Sequence, residues 1–283
     1  MSTPRRFSQL DVFTTTPLKG NPLAVVHDAD GLSDAQMQAF ATWTNLSETT
    51  FLLRPTDERA DYRVRIFTPK GEFRFAGHPT LGSCHAWLAA GGTPREAGQV
   101  VQQCGIGLVP VRRDGQRLAF AAPPLRREPI DDELLTQLVD ALGVRASDLL
   151  AACWLDNGIR WVGMRVASAK RLRALQPDHG RLKGLAKVGV VAEQDAEGAN
   201  GTQFEVRGFA APNDVPEDPV TGSLNASLAQ WLIGEGVAPP EYVAAQGTAM
   251  GRAGRVHVMR EADTGMLWIG GDVAACISGT VLL

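Results

Sequence analysis

Short apolar runs set apart by turn residues mark most of this chain as strands. "FSQLDVF", "PLAVVH", "TFLLRP", "YRVRIFT", "QVVQQC", "GLVPVRR" and "RLAFAAP" fill the first half, interrupted by only two helical segments. One of these is "SDAQMQAFATWT" (33–44), whose apolar positions recur at helical spacing; the other contains "PTLGSCHAWL" (79–88). A proline pair and a charge-rich turn in "PPLRREPIDDELLTQLVDALG" then lead into an amphipathic helix over 131–142, which reads as the connection between halves. Strand signals resume in "ACWLDNGIRWVGMRV", "AKVGVVAE", "TQFEVRGFA", "YVAAQG", "RVHVMR", "MLWIGG" and "ACISGTVLL", with one principal helix among them. Within the first of these, "DNGIRW" (156–161) reads as a hairpin turn and nothing more. The pattern predicts an α+β protein of short, mostly antiparallel strands in two domains, 1–128 and 129–283, the last strand being able to return to the first domain.

The pattern also repeats. "PTLGSCHAWL" (79–88) and "PVTGSLNASL" (219–228) share P-x-x-G-S-x-x-A-x-L, each after a strand ending in phenylalanine and a proline-containing turn. Duplication predicts two similar domains related by a pseudo-twofold axis with a cleft between them; the alternative is chance matching of small residues common at helix starts. Gly77, His78, Thr80, Gly82 and Ser83 are expected near one helix start, and Asp218, Thr221, Gly222 and Ser223 near the other. Helix N-termini carry unpaired N–H groups and partial positive charge, so two starts facing one cleft would hold a carboxylate. Ordinary capping explains the serines, threonines and glycines equally well, but not a histidine and an aspartate at corresponding points.

Composition narrows the class. A chain of 283 residues accommodates two ordinary domains, and 44% hydrophobic residues with 30 glycines and 17 prolines describe a globular protein rich in turns. The net charge of −3 gives no electrostatic reason to expect nucleic acid or an anionic membrane. No segment approaches a membrane span, and the N-terminal residues contain no signal-like run, so a cytoplasmic protein with a small-molecule partner is expected. Cys84, Cys104, Cys153 and Cys276 are widely spaced and the five histidines scattered, so no metal site is predicted; Cys84, beside His85, is a candidate reactive thiol. Dinucleotide, Walker, G-x-S-x-G and H-E-x-x-H motifs are absent from the sequence.

"LDVFTTTPLKGNPLAVV", "NLSETTF", "RIFTPKGEFRFAGHPTLGSCHAW" and "FAAPNDVPEDPVTGSLNASLAQWL" resemble, in this order, the PhzF-like phenazine-biosynthesis isomerase family. The resemblance implies the diaminopimelate-epimerase-like fold, in which two similar α/β domains each wrap a mostly antiparallel sheet around a central helix. It also implies a homodimer and catalysis without metal or organic cofactor. In that family the glutamate of N-L-S-E-T is the general acid/base, and Glu48 matches it. From the residues alone, Glu48 reads equally as a solvated loop glutamate or capping acid, His78 as a turn or core histidine, and Asp218 as an N-cap acid.

Relatives that racemise or epimerise amino acids place a cysteine in each half. Ala76 and Asp218 stand at about those places here, which removes a two-thiol mechanism. One carboxylate that takes and returns a proton suits an isomerisation on one face of the substrate, and needs a water-poor setting that raises its pKa toward neutrality. His78 and Asp218 would orient the substrate or stabilise moving charge, while amides around Gly77, Gly222 and Ser223 would hold its carboxylate. The expected activity is a cofactor-independent proton shift on a small carboxylated cyclic or conjugated compound, like that of a trans-2,3-dihydro-3-hydroxyanthranilate isomerase. Non-catalytic binding of a small carboxylate and racemisation of amino or hydroxy acids are the alternatives. Arg252 and Arg255 receive no role.

Overall fold

The computed structural model describes residues 3–195 and 200–283. The chain divides into two compact units, one of Met1–Ala121 with Gly270–Leu283 and the other of Ala122–Ile269.

The first unit holds β1 (Pro4–Val12), β2 (Asn21–Val26), β3 (Thr49–Leu53), β4 (Tyr62–Thr68), β5 (Gly71–Phe73), β6 (Gln99–Cys104), β7 (Gly107–Asp114) and β8 (Arg117–Ala121). β1 pairs antiparallel with β2, β3 with β4, β4 with β5, β6 with β7 and β7 with β8, whereas β2–β3 and β4–β6 are parallel. Parallel neighbours cannot be joined by a tight turn, so each parallel pair carries a crossover. These crossovers hold the two helices, α1 (Asp34–Thr44) and α2 (Gly77–Ala89).

The start and stop of α1 are written in its sequence. Ser33 Oγ accepts from the Gln36 N–H, and the Gln36 side chain returns to the Ser33 N–H, while Asn45 ends the helix in the left-handed conformation at φ 53°. Its apolar face of Met37, Phe40 and Ala41 packs with Val26, Phe51 and Phe67. By contrast α2 is buried almost all round from Gly77 to Cys84, as suits a helix enclosed by a sheet. A Cβ on Gly82 would lie 2.4 Å from Leu23 Cδ2, so the missing side chain lets α2 settle onto β2.

The second unit holds β9 (Arg126–Glu128), α3 (Asp132–Leu142), β10 (Leu149–Asp156), β11 (Arg160–Val166), α4 (Ala169–Ala174), α5 (His179–Lys183), β12 (Val188–Glu193), β13 (Phe204–Ala210), β14 (Val215–Asp218), α6 (Gly222–Gly234), β15 (Glu241–Gln246) and β16 (Gly254–Arg260), and the chain passes back to the first unit within β17 (Leu267–Gly271). Its pairings run through the same series: β10–β11 antiparallel, β11–β12 parallel, β12–β13 and β13–β14 antiparallel, β13–β15 parallel and β15–β16 antiparallel. The crossovers again carry helices, α4 with α5 and then α6. Here the close approach is reversed, because the glycine lies on the sheet: a Cβ on Gly189 would lie 2.1 Å from Leu224 Cδ1 of α6.

One further strand completes each series. β9 pairs antiparallel with β10, and β18 (Val273–Leu282) pairs antiparallel with β1. Each unit therefore takes its outermost strand from the part of the chain that follows the other unit's series.

The duplication thus lies in the pairing pattern, and the sequence repeat is out of phase with it. Pro79 is the third residue of α2, whereas Pro219 lies three residues before α6 begins, a slip of five positions. Gly82 and Ser83 consequently sit inside a helix and not at its start. Counted from the helix starts, Gly77 and His78 correspond to Gly222 and Ser223. Asp218, at the end of β14, is not the counterpart of His78, contrary to the sequence expectation.

Candidate active site

In the first unit Glu48 occupies the junction between α1 and β3. Asn45 closes the helix and β3 begins at Thr49, so the Glu48 backbone belongs to neither element. The side chain is nevertheless 13% exposed, and its Oε2 lies 3.3 Å from Nε2 of His78, itself 5% exposed. This low exposure excludes a solvated loop glutamate. The N–H direction is off the line of a hydrogen bond, so the pair is a close contact that a small rotation of either side chain would align.

His78 is the second residue of α2, after an N-cap residue, Ala76, that offers no side-chain cap. The N–H groups of Gly77 and His78 have no acceptor within the helix, and Pro79, in the first turn where proline is tolerated, has no N–H to offer. Burial pushes the His78 pKa down to about 3, because the enclosed site cannot solvate an imidazolium, so the ring is neutral at ordinary pH. Asn21, fully buried, lies with Nδ2 3.3 Å from His78 Nδ1. Thr80 and Ser83 do not cap: Thr80 Oγ1 donates to the Ala76 carbonyl and Ser83 Oγ to Thr50 Oγ1. Cys84 is fully buried and its pKa is pushed up to about 12 by desolvation, which removes the candidate thiol.

In the second unit Asp218 is not an N-cap. That position belongs to Thr221, whose hydroxyl donates to Asp218 Oδ2 at 2.6 Å in place of capping α6. The direction of this bond is fixed by Gln246. Its Oε1 accepts from the Thr221 N–H at 3.0 Å and from Asn225 Nδ2 at 2.8 Å, so its Nε2 faces the other way and donates to the Asp218 carbonyl and to Thr221 Oγ1, each at 3.0 Å. Thr221 Oγ1, having accepted from an amide, gives its own proton to Asp218. A buried glutamine fastens the first unit's helix start in a similar way, Gln102 Nε2 donating to Thr80 Oγ1 at 3.0 Å.

Ser223, the second residue of α6, is held by the turn that the sequence offered only as a hairpin. Asn157 Nδ2 donates to the Ser223 carbonyl at 2.9 Å, and Trp161 Nε1 to Ser223 Oγ at 3.3 Å. Sequence reasoning missed Asn21, Gln246, Asn157 and Trp161. Their one shared signal is a hydrogen-bonding side chain inside or beside an apolar run. Among the described residues no group of three or more histidine, cysteine, aspartate or glutamate side chains is gathered at metal-binding spacing.

Comparison with known proteins gives these residues a family. The chain matches the family described as phenazine biosynthesis-like protein over residues 10–279. It is 34% identical over 294 residues, covering 98% of each chain, to antisense-enhancing sequence 1 of Schizosaccharomyces pombe. It is also 34% identical over 265 residues, covering 90% of each, to the trans-2,3-dihydro-3-hydroxyanthranilate isomerase of Pseudomonas aeruginosa. A PhzF-family phenazine biosynthesis protein of Bacillus anthracis superposes with a TM-score of 0.86 at 23% identity, over 99% of this chain and 100% of that one. A hydroxyproline epimerase of Agrobacterium vitis shares the fold alone, with a TM-score of 0.64 at 14% identity over 99% of this chain and 93% of that one. With an epimerase-like α+β fold and a family match along nearly its whole length, the chain belongs to the PhzC-PhzF family of phenazine biosynthesis-like proteins.

Proposed function

We propose that this PhzF-family isomerase moves a proton along a small carboxylated cyclic or conjugated substrate, with Glu48 as general acid/base and without a cofactor. The observation that carries the reading is the Glu48 carboxylate, withdrawn from water and 3.3 Å from the Nε2 of a neutral imidazole. A carboxylate so placed takes a proton from a saturated carbon beside the conjugated system, and the C–H electron pair enters the π system. The same carboxyl then returns the proton at the far end, the double bonds having shifted, so no net proton, electron or atom is gained. This balance calls for neither oxidant nor metal.

In this reading His78 and Asp218 orient the substrate or stabilise charge as it moves, and the amides of Gly77, Gly222 and Ser223 bind its carboxylate. Two features support these roles. The first amides of a helix favour an anion, and Asp218 is held in one orientation by Thr221. The substrate class is supported by the name of the Pseudomonas aeruginosa relative, which makes trans-2,3-dihydro-3-hydroxyanthranilate the first compound to offer. A homodimer in the cytoplasm goes with this reading.

The test is turnover of that compound and of related dihydroaromatic carboxylates, followed by absorbance, for wild type and Glu48→Gln. Loss of at least about 10²–10⁴-fold is expected when a general acid/base is removed, with an unchanged melting curve. Glu48→Gln turning over near the wild-type rate would remove the proposed base.

A further inference from the structure

The two ring nitrogens of His78 have different neighbours. Nδ1 lies 3.3 Å from Nδ2 of Asn21, and Nε2 lies 3.3 Å from Oε2 of Glu48. With the Asn21 amide turned nitrogen-first toward the ring, as here, it can only donate, so Nδ1 accepts. A neutral imidazole has a single N–H, which then sits on Nε2, 3.3 Å from the carboxylate oxygen and one small side-chain rotation from donating to it. Burial keeps the ring in this uncharged state, with its pKa near 3. Asn21 is well placed to impose the choice: it is fully buried at the first residue of β2, in register with Val12 of β1, and the preceding Gly20 N–H is tied to Asp11 Oδ2 at 3.1 Å.

We propose that Asn21 is a positioning residue that holds His78 in its Nε2–H tautomer, so that the imidazole meets Glu48 as a neutral donor. The inference rests on the reading of Glu48 as the acid/base. In that reading the tautomer matters because the two forms favour opposite states of the carboxyl. An N–H facing Glu48 matches the ionised carboxylate that begins the reaction, whereas a ring lone pair in the same place would repel it and favour the protonated acid. Asn21 would thus set which form of Glu48 the imidazole supports without touching the substrate.

Imidazole ¹⁵N–¹H correlation spectra of the full chain test this directly, because protonated and unprotonated ring nitrogens resonate far apart. The His78 signals are assigned by their disappearance in His78→Gln. Wild type is expected to show His78 protonated on Nε2. Asn21→Asp, nearly isosteric, replaces the donor by an acceptor and should move the proton to Nδ1, whereas Glu48→Gln should leave it on Nε2. A wild-type His78 protonated on Nδ1 overturns the proposal. So does a tautomer that switches in Glu48→Gln, since Glu48 and not Asn21 would then be setting it. Should Asn21→Asp fail to fold, the wild-type and Glu48→Gln spectra still decide. No substrate is needed, so failure of the tautomer assignment is distinguishable from failure of the acid/base reading, which only the Glu48→Gln turnover assay reports.

Discussion

Replacing Gln246 by leucine keeps most of the side chain's volume and removes all four of its hydrogen bonds. Gln246 is fully buried, so the loss is felt without dilution by solvent at that residue. Two of its partners keep other bonds: Asn225 Nδ2 still reaches the Thr221 carbonyl at 2.9 Å, and Thr221 Oγ1 still donates to Asp218 at 2.6 Å. The other two, the Thr221 N–H and the Asp218 carbonyl, lose the bonds that Gln246 supplies. Leaving a buried polar group unsatisfied costs about 1–3 kcal/mol. The buried Thr221 N–H is one such group, and the half-buried Asp218 carbonyl, paired opposite Gly208 in the β13–β14 ladder, adds less, which places the expected loss at about 2–3 kcal/mol. Against a total stability of about 5–15 kcal/mol that is a large fraction. Urea unfolding followed by tryptophan fluorescence is a suitable assay, since Trp154, Trp161 and Trp231 lie in the same unit as Gln246. Gln137→Ala on the α3 surface serves as a control and should stay within about 0.5 kcal/mol of wild type. If Gln246→Leu costs less than about 1 kcal/mol, the Gln246 bonds are not what fastens the α6 start, and the account of how Asp218 is oriented falls with them.

Three further expectations follow from burial. The folded-state pKa of His78 is depressed to about 3 from an ordinary 6.5, so only the unfolded chain takes up this proton between those values. Wild type should accordingly lose up to about 1.4 kcal/mol more per pH unit than His78→Gln as pH falls below about 6.5, with no difference in slope above it; equal slopes in denaturant titrations would contradict the buried neutral ring. Gly189→Ala should destabilise by about 1–3 kcal/mol through collision with Leu224, and a mutant that melts at the wild-type temperature would show that the sheet and α6 do not meet as described. Iodoacetamide at neutral pH should leave Cys84 unmodified in the folded protein, and mass spectrometry finding it alkylated before unfolding would refute its burial.

What the sequence disclosed was local, and what it withheld was distant. The ends of α1 are legible because Ser33, Gln36 and Asn45 act within a turn of where they stand, and α3 is likewise announced by its N-cap Asp131, whose side chain accepts from the Glu133 and Leu134 N–H groups. The start of α2 is not. The repeat was anchored on glycine and serine, which occur at position six and seven of one helix and at the start of the other, while Pro79 inside a first turn and Pro219 outside one looked alike. The short α4 and α5 leave no periodic signal in the sequence, being too short to show one, although Ser168 and Asp178 cap them. Glu48 and the Gly77–His78 turn are expected at one site from the family resemblance, and they meet there, whereas the contacts of Asn21 with His78 and of Gln246 with Thr221, 57 and 25 positions apart along the chain, leave no local trace in the sequence. A side chain's partner is legible only when backbone geometry fixes it within a few residues.

The placement of β9 and β18 bears on how the protein is made. β1 is among the first strands to leave the ribosome, yet its antiparallel neighbour β18, which pairs from Leu282 opposite Pro4 to Val273 opposite Val12, is the last described strand to be synthesised. The second unit has all its strands in hand sooner, since β9 precedes β10 in the chain. The earlier-born unit therefore waits with one edge of β1 open while the later-born one can already close, an order of completion opposite to the order of translation. For the same reason, severing the chain between β8 and β9 would not give two self-sufficient fragments. The amino-terminal piece would lack the strand that covers β1, and the carboxy-terminal piece would carry that strand with nowhere of its own to lay it.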